Sequence, residues 1–229
     1  MERSRLEIFP RLWLDHRRAV FLEEQDTLAV ADLHLGYVWA QRFNGQMLPL
    51  GPSDGILARL EDLFAYYNPK TIVLLGDIVH EAAPVNEIAA ELSALLEAFA
   101  AKVSVQLVLG NHDRNLKKML PSQEMIGLHS ALRSGEYLLL HGHESSPTDD
   151  SAFIIMGHEH PSISLGDGIK SAKFPCFLVS ERLLILPAFS GWVAGTSFRA
   201  HGLMSPLAKA AHFTKAVVIC GSKLLPVPL

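Results

Sequence analysis

Short apolar runs punctuate the chain: TLAVA (27–31), TIVLL (71–75), SVQLVL (104–109), YLLL (137–140), FIIM (153–156), CFLV (176–179), LLIL (183–186) and AVVIC (216–220). Each has the length of a β-strand. Between the early runs lie two segments of helical period, 53–67 with Ser53 or Asp54 as its cap and 86–102 following Pro84. Strand alternating with helix predicts parallel pairing through right-handed crossovers. The second half has little helical pattern and closely spaced runs, which predicts a more antiparallel sheet. The expected fold is therefore α/β, with two mixed sheets packed face to face and helices outside, in a single domain over 1–229. No internal repeat, low-complexity tract or long linker divides it.

Composition narrows the function classes. A chain of 229 residues, 49% hydrophobic and 19% charged, can bury a sizeable core. Its net charge of −4 carries no bulk basic character, so any polyanion must be gripped locally. The two cysteines, Cys176 and Cys220, stand in unrelated contexts, which fits a reduced compartment with the thiols used as small core residues. The N-terminal stretch lacks a signal-peptide apolar segment and no run is long enough for a membrane helix, so a cytoplasmic protein without a membrane partner is expected.

The residues that follow the runs carry the chemistry. Asp32 and His34 follow 27–31, Gly76, Asp77 and His80 follow 71–75, and Gly110, Asn111, His112 and Asp113 follow 104–109. His141, Gly142 and His143 come after 137–140, and Gly157, His158, Glu159 and His160 after 153–156. Consecutive strands thus deliver Asp, Asn or His at their C-terminal ends, the edge where ligand sites form in open α/β sheets. One strand-end Asp or His is a common capping residue; an ordered series is not explained that way. Carboxylates, imidazoles and an amide oxygen without a thiolate suit Mn²⁺, Fe²⁺ or Zn²⁺. Two such ions roughly 3.5–4 Å apart, bridged by one carboxylate, stabilise the attacking and departing oxygens of phosphoester hydrolysis and activate a shared water.

The ordered motifs Asp32-Leu33-His34, Gly76-Asp77, Gly110-Asn111-His112-Asp113, His141-Gly142-His143 and Gly157-His158-Glu159-His160 resemble those of the calcineurin-like metallophosphoesterases. That resemblance implies a four-layer αββα sandwich with a dinuclear site at the strand ends. It places Asp32, His34, Asp77 and His160 on one ion and Asp77, Asn111, His141 and His158 on the other, with Asp77 as the bridge. Two longer stretches, ADLHLGYVWAQRFNGQMLPLG and KFPCFLVSERLLILPAFSGWVAG, are similar to the DNA-ligase-associated (PdeM-type) metallophosphoesterases and their archaeal SbcD-related relatives. Pro187, Ala188, Phe189 and Gly191 carry this second likeness, while SGWVAGT is less glycine-rich than that group's ending. The likeness implies a Mn²⁺-dependent endonuclease or phosphodiesterase acting on DNA or another phosphodiester, with DNA-repair partners such as a ligase or helicase.

With Asn111 in the ligand role, the His112 imidazole can protonate the leaving alkoxide as the catalytic acid, with Asp113 orienting its ring; a structural hydrogen bond within the turn is the alternative. His80, His143 and Arg114 are candidate substrate contacts; a cap, a supporting hydrogen bond and a solvated face are the respective alternatives. Lys117 and Lys118 are read as a solvated helix face, and Arg42 and Asn44, in the loop after the first motif, as flanking the site. Phe189 and Trp192 form either a stacking platform for a base or an aromatic core contact. His16, His129, His201 and His212 lack partner motifs and are read as structural. The function expected is phosphodiester hydrolysis, with a phosphatase or small-nucleotide phosphodiesterase as the alternative and a non-catalytic scaffold with a vestigial metal site as the reading from another class.

Overall fold

The computed structural model describes residues 5–48, 55–80, 85–120, 126–144, 152–166, 171–193 and 195–229. Its first sheet begins with three strands that the apolar runs do not announce: β1 (Arg5–Phe9), β2 (Leu12–Asp15) and β3 (Ala19–Leu22). They form an antiparallel meander onto β4 (Thr27–Ala31). Beyond β4 the pairing turns parallel, through β5 (Thr71–Leu75), β6 (Ser104–Val108) and β7 (Ile126–His129). The connections carry α1 (Tyr37–Phe43), α2 (Ile56–Tyr67), α3 (Val85–Ala100) and α4 (Leu116–Met119), as parallel strands require. The caps expected at Ser53 or Asp54, and Pro84, lie outside the described residues.

The second sheet is built from β8 (Ala131–Ser134), β9 (Tyr137–Leu140), β10 (Phe153–Met156), β11 (Pro161–Gly166), β12 (Ser171–Ser180), β13 (Leu183–Ile185), β14 (Thr196–Ser197), β15 (Phe213–Cys220) and β16 (Lys223–Pro228). Its order is β14-β11-β12-β13-β10-β9-β8, with β15 and β16 joined through β12. Most pairs are antiparallel, but β10 runs parallel to both β9 and β13, which aligns the C-terminal ends of β9 and β10. Short helices α5 (Phe198–His201) and α6 (Pro206–Ala210) cover its outer face.

Alternation along the strands explains the layering. Ile72 and Leu74 of β5 pack under Leu60, Leu92, Leu96 and Phe99 of the helices, whereas Val73 and Leu75 face Leu139, Ile155, Phe177 and Leu184 of the other sheet. A strand covered on both faces reads as a continuous apolar run, which is why β4 to β6 stand out in the sequence. The result is the αββα arrangement, with a thin second helical layer. Cys176 lies in the core beneath α6, and burial pushes its thiol up to about 12. Cys220, expected in the core, is instead exposed at the end of β15, where the strand turns at Gly221. Arg42 and Asn44 are not in a loop: Arg42 lies on α1 and Asn44 caps its C-terminus. Among the described residues no helix is long and apolar enough to cross a membrane.

Candidate metal centre

The C-terminal ends of β4, β5, β6, β9 and β10 converge where the two sheets meet. Asp32, His34, Asp77 and His160 bring one donor atom each within 4.8 Å of one another, and Asp77, His141 and His158 do the same. Asn111 joins the second group, its Oδ1 lying 3.1 Å from His141 Nε2. Asp77 belongs to both. Its Oδ1 accepts the His112 backbone N–H at 3.0 Å, which turns Oδ2 toward His141 Nε2 at 3.3 Å and His34 Nε2 at 4.0 Å.

Five of these residues, Asp32, His34, Asp77, His158 and His160, have φ between 44° and 69°. The left-handed region is uncommon for side-chain-bearing residues, tolerated best by Asn, Asp and His, and strain of this kind gathers at functional sites. β4, β5 and β10 therefore each end in a sharp reversal that turns their side chains into the cleft. Close approach sets the glycines between them. A Cβ on Gly110 would collide with the Asp77 carboxylate and backbone nitrogen, and one on Gly157 would stand 2.6 Å from Asp32 Oδ2.

The electrostatics suit cations. Burial pushes the His34 and His158 rings down to about 4, so both offer lone pairs at neutral pH. Burial tends to raise the Asp32 and Asp77 carboxyls, but His160 and His141, respectively, lead the opposing effects that hold them below the ordinary range. His158 Nδ1 approaches His141 Nε2 to 3.2 Å beside two ionised carboxylates. Such converging nitrogen and oxygen donors, with no thiolate, fit a pair of borderline divalent ions.

The remaining candidates divide. His112 points its Nε2 toward Asp77 Oδ2 at 3.9 Å and is 31% exposed, against 4% for His34, so it can reach a substrate. Asp113 does not orient that ring, for no hydrogen bond joins the two side chains among the described residues. Its buried carboxylate instead accepts the backbone N–H of Val79 at 3.0 Å and of Gly110 at 2.8 Å, tying the β5 and β6 loops together. The His80 ring stacks on His112 at 5.3 Å and 12°, with its other contacts to His34 and Tyr37. His143 packs against His141 at 5.2 Å, but the strand has ended and Gly142 has φ 104°, so it does not continue the strand's alternation. Arg114 is exposed on the turn after Asp113. Phe189 is core, buried beneath the Arg59 guanidinium, which excludes it as a base platform. Glu159, which sequence reasoning passed over, is buried and accepts the N–H groups of Met204 and Ser205, fastening the turn of His158 and His160 to the start of α6.

A profile of the calcineurin-like phosphoesterases matches residues 26–174. The chain belongs to the calcineurin-like phosphoesterases. This makes it a phosphoesterase hydrolase, and its two buried His/Asp clusters are consistent with a dinuclear metal site. Among solved structures, nuclease MPE of Pseudomonas putida is similar at 25% identity and a TM-score of 0.72, covering 98% of this chain and 99% of that one. The phosphoesterase Yfce from E. coli is similar at 18% identity and a TM-score of 0.44, over 88% and 98%. The Aquifex aeolicus protein AQ665, of unknown function, shows 18% identity and a TM-score of 0.38, over 58% and 77%. No match is found among curated proteins.

Proposed function

We propose that this calcineurin-like phosphoesterase is a metal-dependent phosphodiesterase that cuts DNA, using two Mn²⁺ ions. The observation that carries the reading is the end-to-end likeness to a nuclease, over 98% of the chain at a TM-score of 0.72. The likeness of its N- and C-terminal stretches to DNA-ligase-associated relatives points the same way and suggests a ligase or helicase as companion. Asp32, His34, Asp77 and His160 hold one ion, and Asp77, Asn111, His141 and His158 the other. When bound, the ions neutralise the phosphate oxygens and activate water for in-line attack.

The chain's own groups do the rest. Asp77 faces both clusters because His112 N–H pins its other oxygen. His112, half-exposed at the cleft and backed by the His80 ring, hands its proton to the departing alkoxide. Asp113 acts through the backbone by holding the Val79 and Gly110 loops together. His143 borders the second cluster and serves as a substrate-side contact. Arg114 is left to meet the strand outside the cleft.

Purified protein with Mn²⁺ is expected to hydrolyse bis-p-nitrophenyl phosphate and to nick plasmid DNA. Asp77→Ala should abolish both. His112→Ala should slow DNA cleavage by roughly 10²–10⁴-fold, the usual contribution of a general acid, yet spare the nitrophenyl ester, whose leaving group departs without a proton. Full DNA activity in His112→Ala would remove that role. The net charge of −4 favours a second reading, a phosphatase or small-nucleotide phosphodiesterase; a panel of phosphomonoester, cyclic nucleotide and DNA substrates separates the two.

A further inference from the structure

Beside His160 the structure encloses a cavity of about 180 Å³. Arg18 and Lys173 line it, with Pro161, Pro175 and Pro187 among its walls. No acidic residue lines it among the described residues, although the chain holds 24 Asp and Glu against 20 Lys and Arg. This is a local concentration of positive charge of the kind an acidic protein needs to hold a polyanion.

The two cations come from different sheets, Arg18 from the turn between β2 and β3 and Lys173 from β12. Arg18 has φ 67°, a conformation glycine adopts freely and a long side chain adopts at a cost, so the turn keeps a guanidinium where a smaller residue would be easier. Arg18 Nη1 donates to the carbonyls of Ala188, at 2.9 Å, and Ser190. Lys173 Nζ donates to the carbonyl of Gly195. These carbonyl contacts orient both side chains at the cavity wall.

The cavity wall is fastened to the metal centre on both sides. Phe189 N–H donates to Ala31 O at 2.7 Å and Ser190 N–H to Asp32 O at 3.2 Å, while Thr196 N–H donates to His160 O at 2.7 Å. The prolines fix φ along the wall and offer no backbone donor, so the charged side chains dominate recognition there. A rigid cationic recess thus shares His160 with the first cluster.

From this geometry we infer that the cavity is a subsite for the backbone phosphate next to the one being hydrolysed on a nucleic-acid strand, held by Arg18 and Lys173. The inference rests on the phosphodiesterase reading and deepens it. A phosphomonoester has no neighbouring phosphate to place here, so the subsite selects polynucleotides over small esters.

The test is equilibrium binding of a fluorescein-labelled single-stranded oligonucleotide to the full chain in EDTA, followed by anisotropy across a salt series. Lys173→Gln should weaken binding several-fold and lower the slope of log affinity against log salt by about 0.7, the loss of one phosphate contact on a single strand. Lys223→Gln, an exposed lysine on β16 outside the cavity, should keep the original slope. The trinucleotide TpTpT should compete several-fold better than TpT for the unaltered protein, with that gap lost in Lys173→Gln. Arg18→Gln should close the same gap; because Arg18 also clamps a loop, the exposed Lys173 decides. Equal slopes for Lys173→Gln and the unaltered protein, or a gap that persists in it, would overturn the subsite. Competition by inorganic phosphate as strong as by TpTpT would overturn the backbone assignment. Failure of the Mn²⁺-loaded protein to cleave any phosphodiester would sink the function instead and is read separately from binding.

Discussion

His34 Nε2 and His160 Nε2 stand 3.3 Å apart, aimed at each other from the strand ends of opposite sheets with carboxylates alongside. His158 Nδ1 and His141 Nε2 repeat the relationship at 3.2 Å. A proton can settle one pair at a time, whereas a cation in each cluster satisfies every donor together. Ions bound in the two clusters would tie the sheets together at this edge. Mn²⁺ at a hundred times its dissociation constant should stabilise the fold by about 2.7 kcal/mol. For a chain of this size that is a rise in Tm of roughly 5–10 °C, read by differential scanning fluorimetry. Asp77→Asn should lose the rise, since Asp77 faces both clusters; an undiminished rise in that variant would count against the shared-ligand geometry.

Asp113 and His112 are neighbours in sequence with separable jobs. Asp113→Ala leaves the buried N–H of Val79 and the half-buried N–H of Gly110 without their acceptor, the first omission costing about 1–3 kcal/mol. Asp113→Asn should also destabilise, because an amide turns a donor toward one of those N–H groups. His112→Ala, at a half-exposed ring, should leave stability within about 0.5 kcal/mol. Urea midpoints of the three variants check the division, and equal losses for His112→Ala and Asp113→Ala would refute it.

These two residues also mark what the sequence disclosed. The motif histidines and aspartates were legible because each ends an apolar run buried on both faces, a local pattern that needs no knowledge of the partner strand. Asp113 and Glu159 sit inside the same motifs, but their roles depend on Val79 in one case and on Met204 and Ser205 in the other, far along the chain. No local periodicity encodes such pairings. The N-terminal meander escaped for a different reason. LWLD and AVFL are four-residue strands separated by charged turns, with Arg11 and Arg18 in the left-handed conformation rather than the glycine or asparagine that usually announces a hairpin. Helix α1, only seven residues long, is too short for a helical period to declare itself.

Gly110 offers a test of how closely the loops must approach. Its absent side chain makes room for the Asp77 carboxylate, so Gly110→Ala must displace either the carboxylate or the backbone that carries it. Residues that orient a metal ligand typically contribute 10–100-fold in affinity, and a loss of roughly that size in Mn²⁺ binding is expected by isothermal titration calorimetry. The substitution adds one methyl group to a loop and removes no ligand, so unchanged affinity would show that Asp77 has slack the structure does not display.

Acid should also act on a buried network at the β2–β3 turn. Asp15 accepts from Arg17 Nη2 at 2.7 Å and from the Tyr67 hydroxyl at 2.8 Å, and Arg17 also reaches Asp62 at 2.8 Å, clamping the β2–β3 turn to α2. Burial tends to raise the Asp15 carboxyl, but hydrogen bonds and charge from Arg17 outweigh it and hold the group below its usual value. A carboxyl depressed by folding contributes stability that is fully present above its unfolded pKa, about 3.9, and is lost as pH falls through the lower folded value. Asp15→Asn should cost roughly 3 kcal/mol at neutral pH, as expected when one partner of a buried pair is removed. Urea midpoints taken from pH 6 to pH 2 should therefore converge below about pH 4, as the parent protein gives up what the variant already lacks. Parallel curves across that range would show that the Asp15 charge does not carry the clamp.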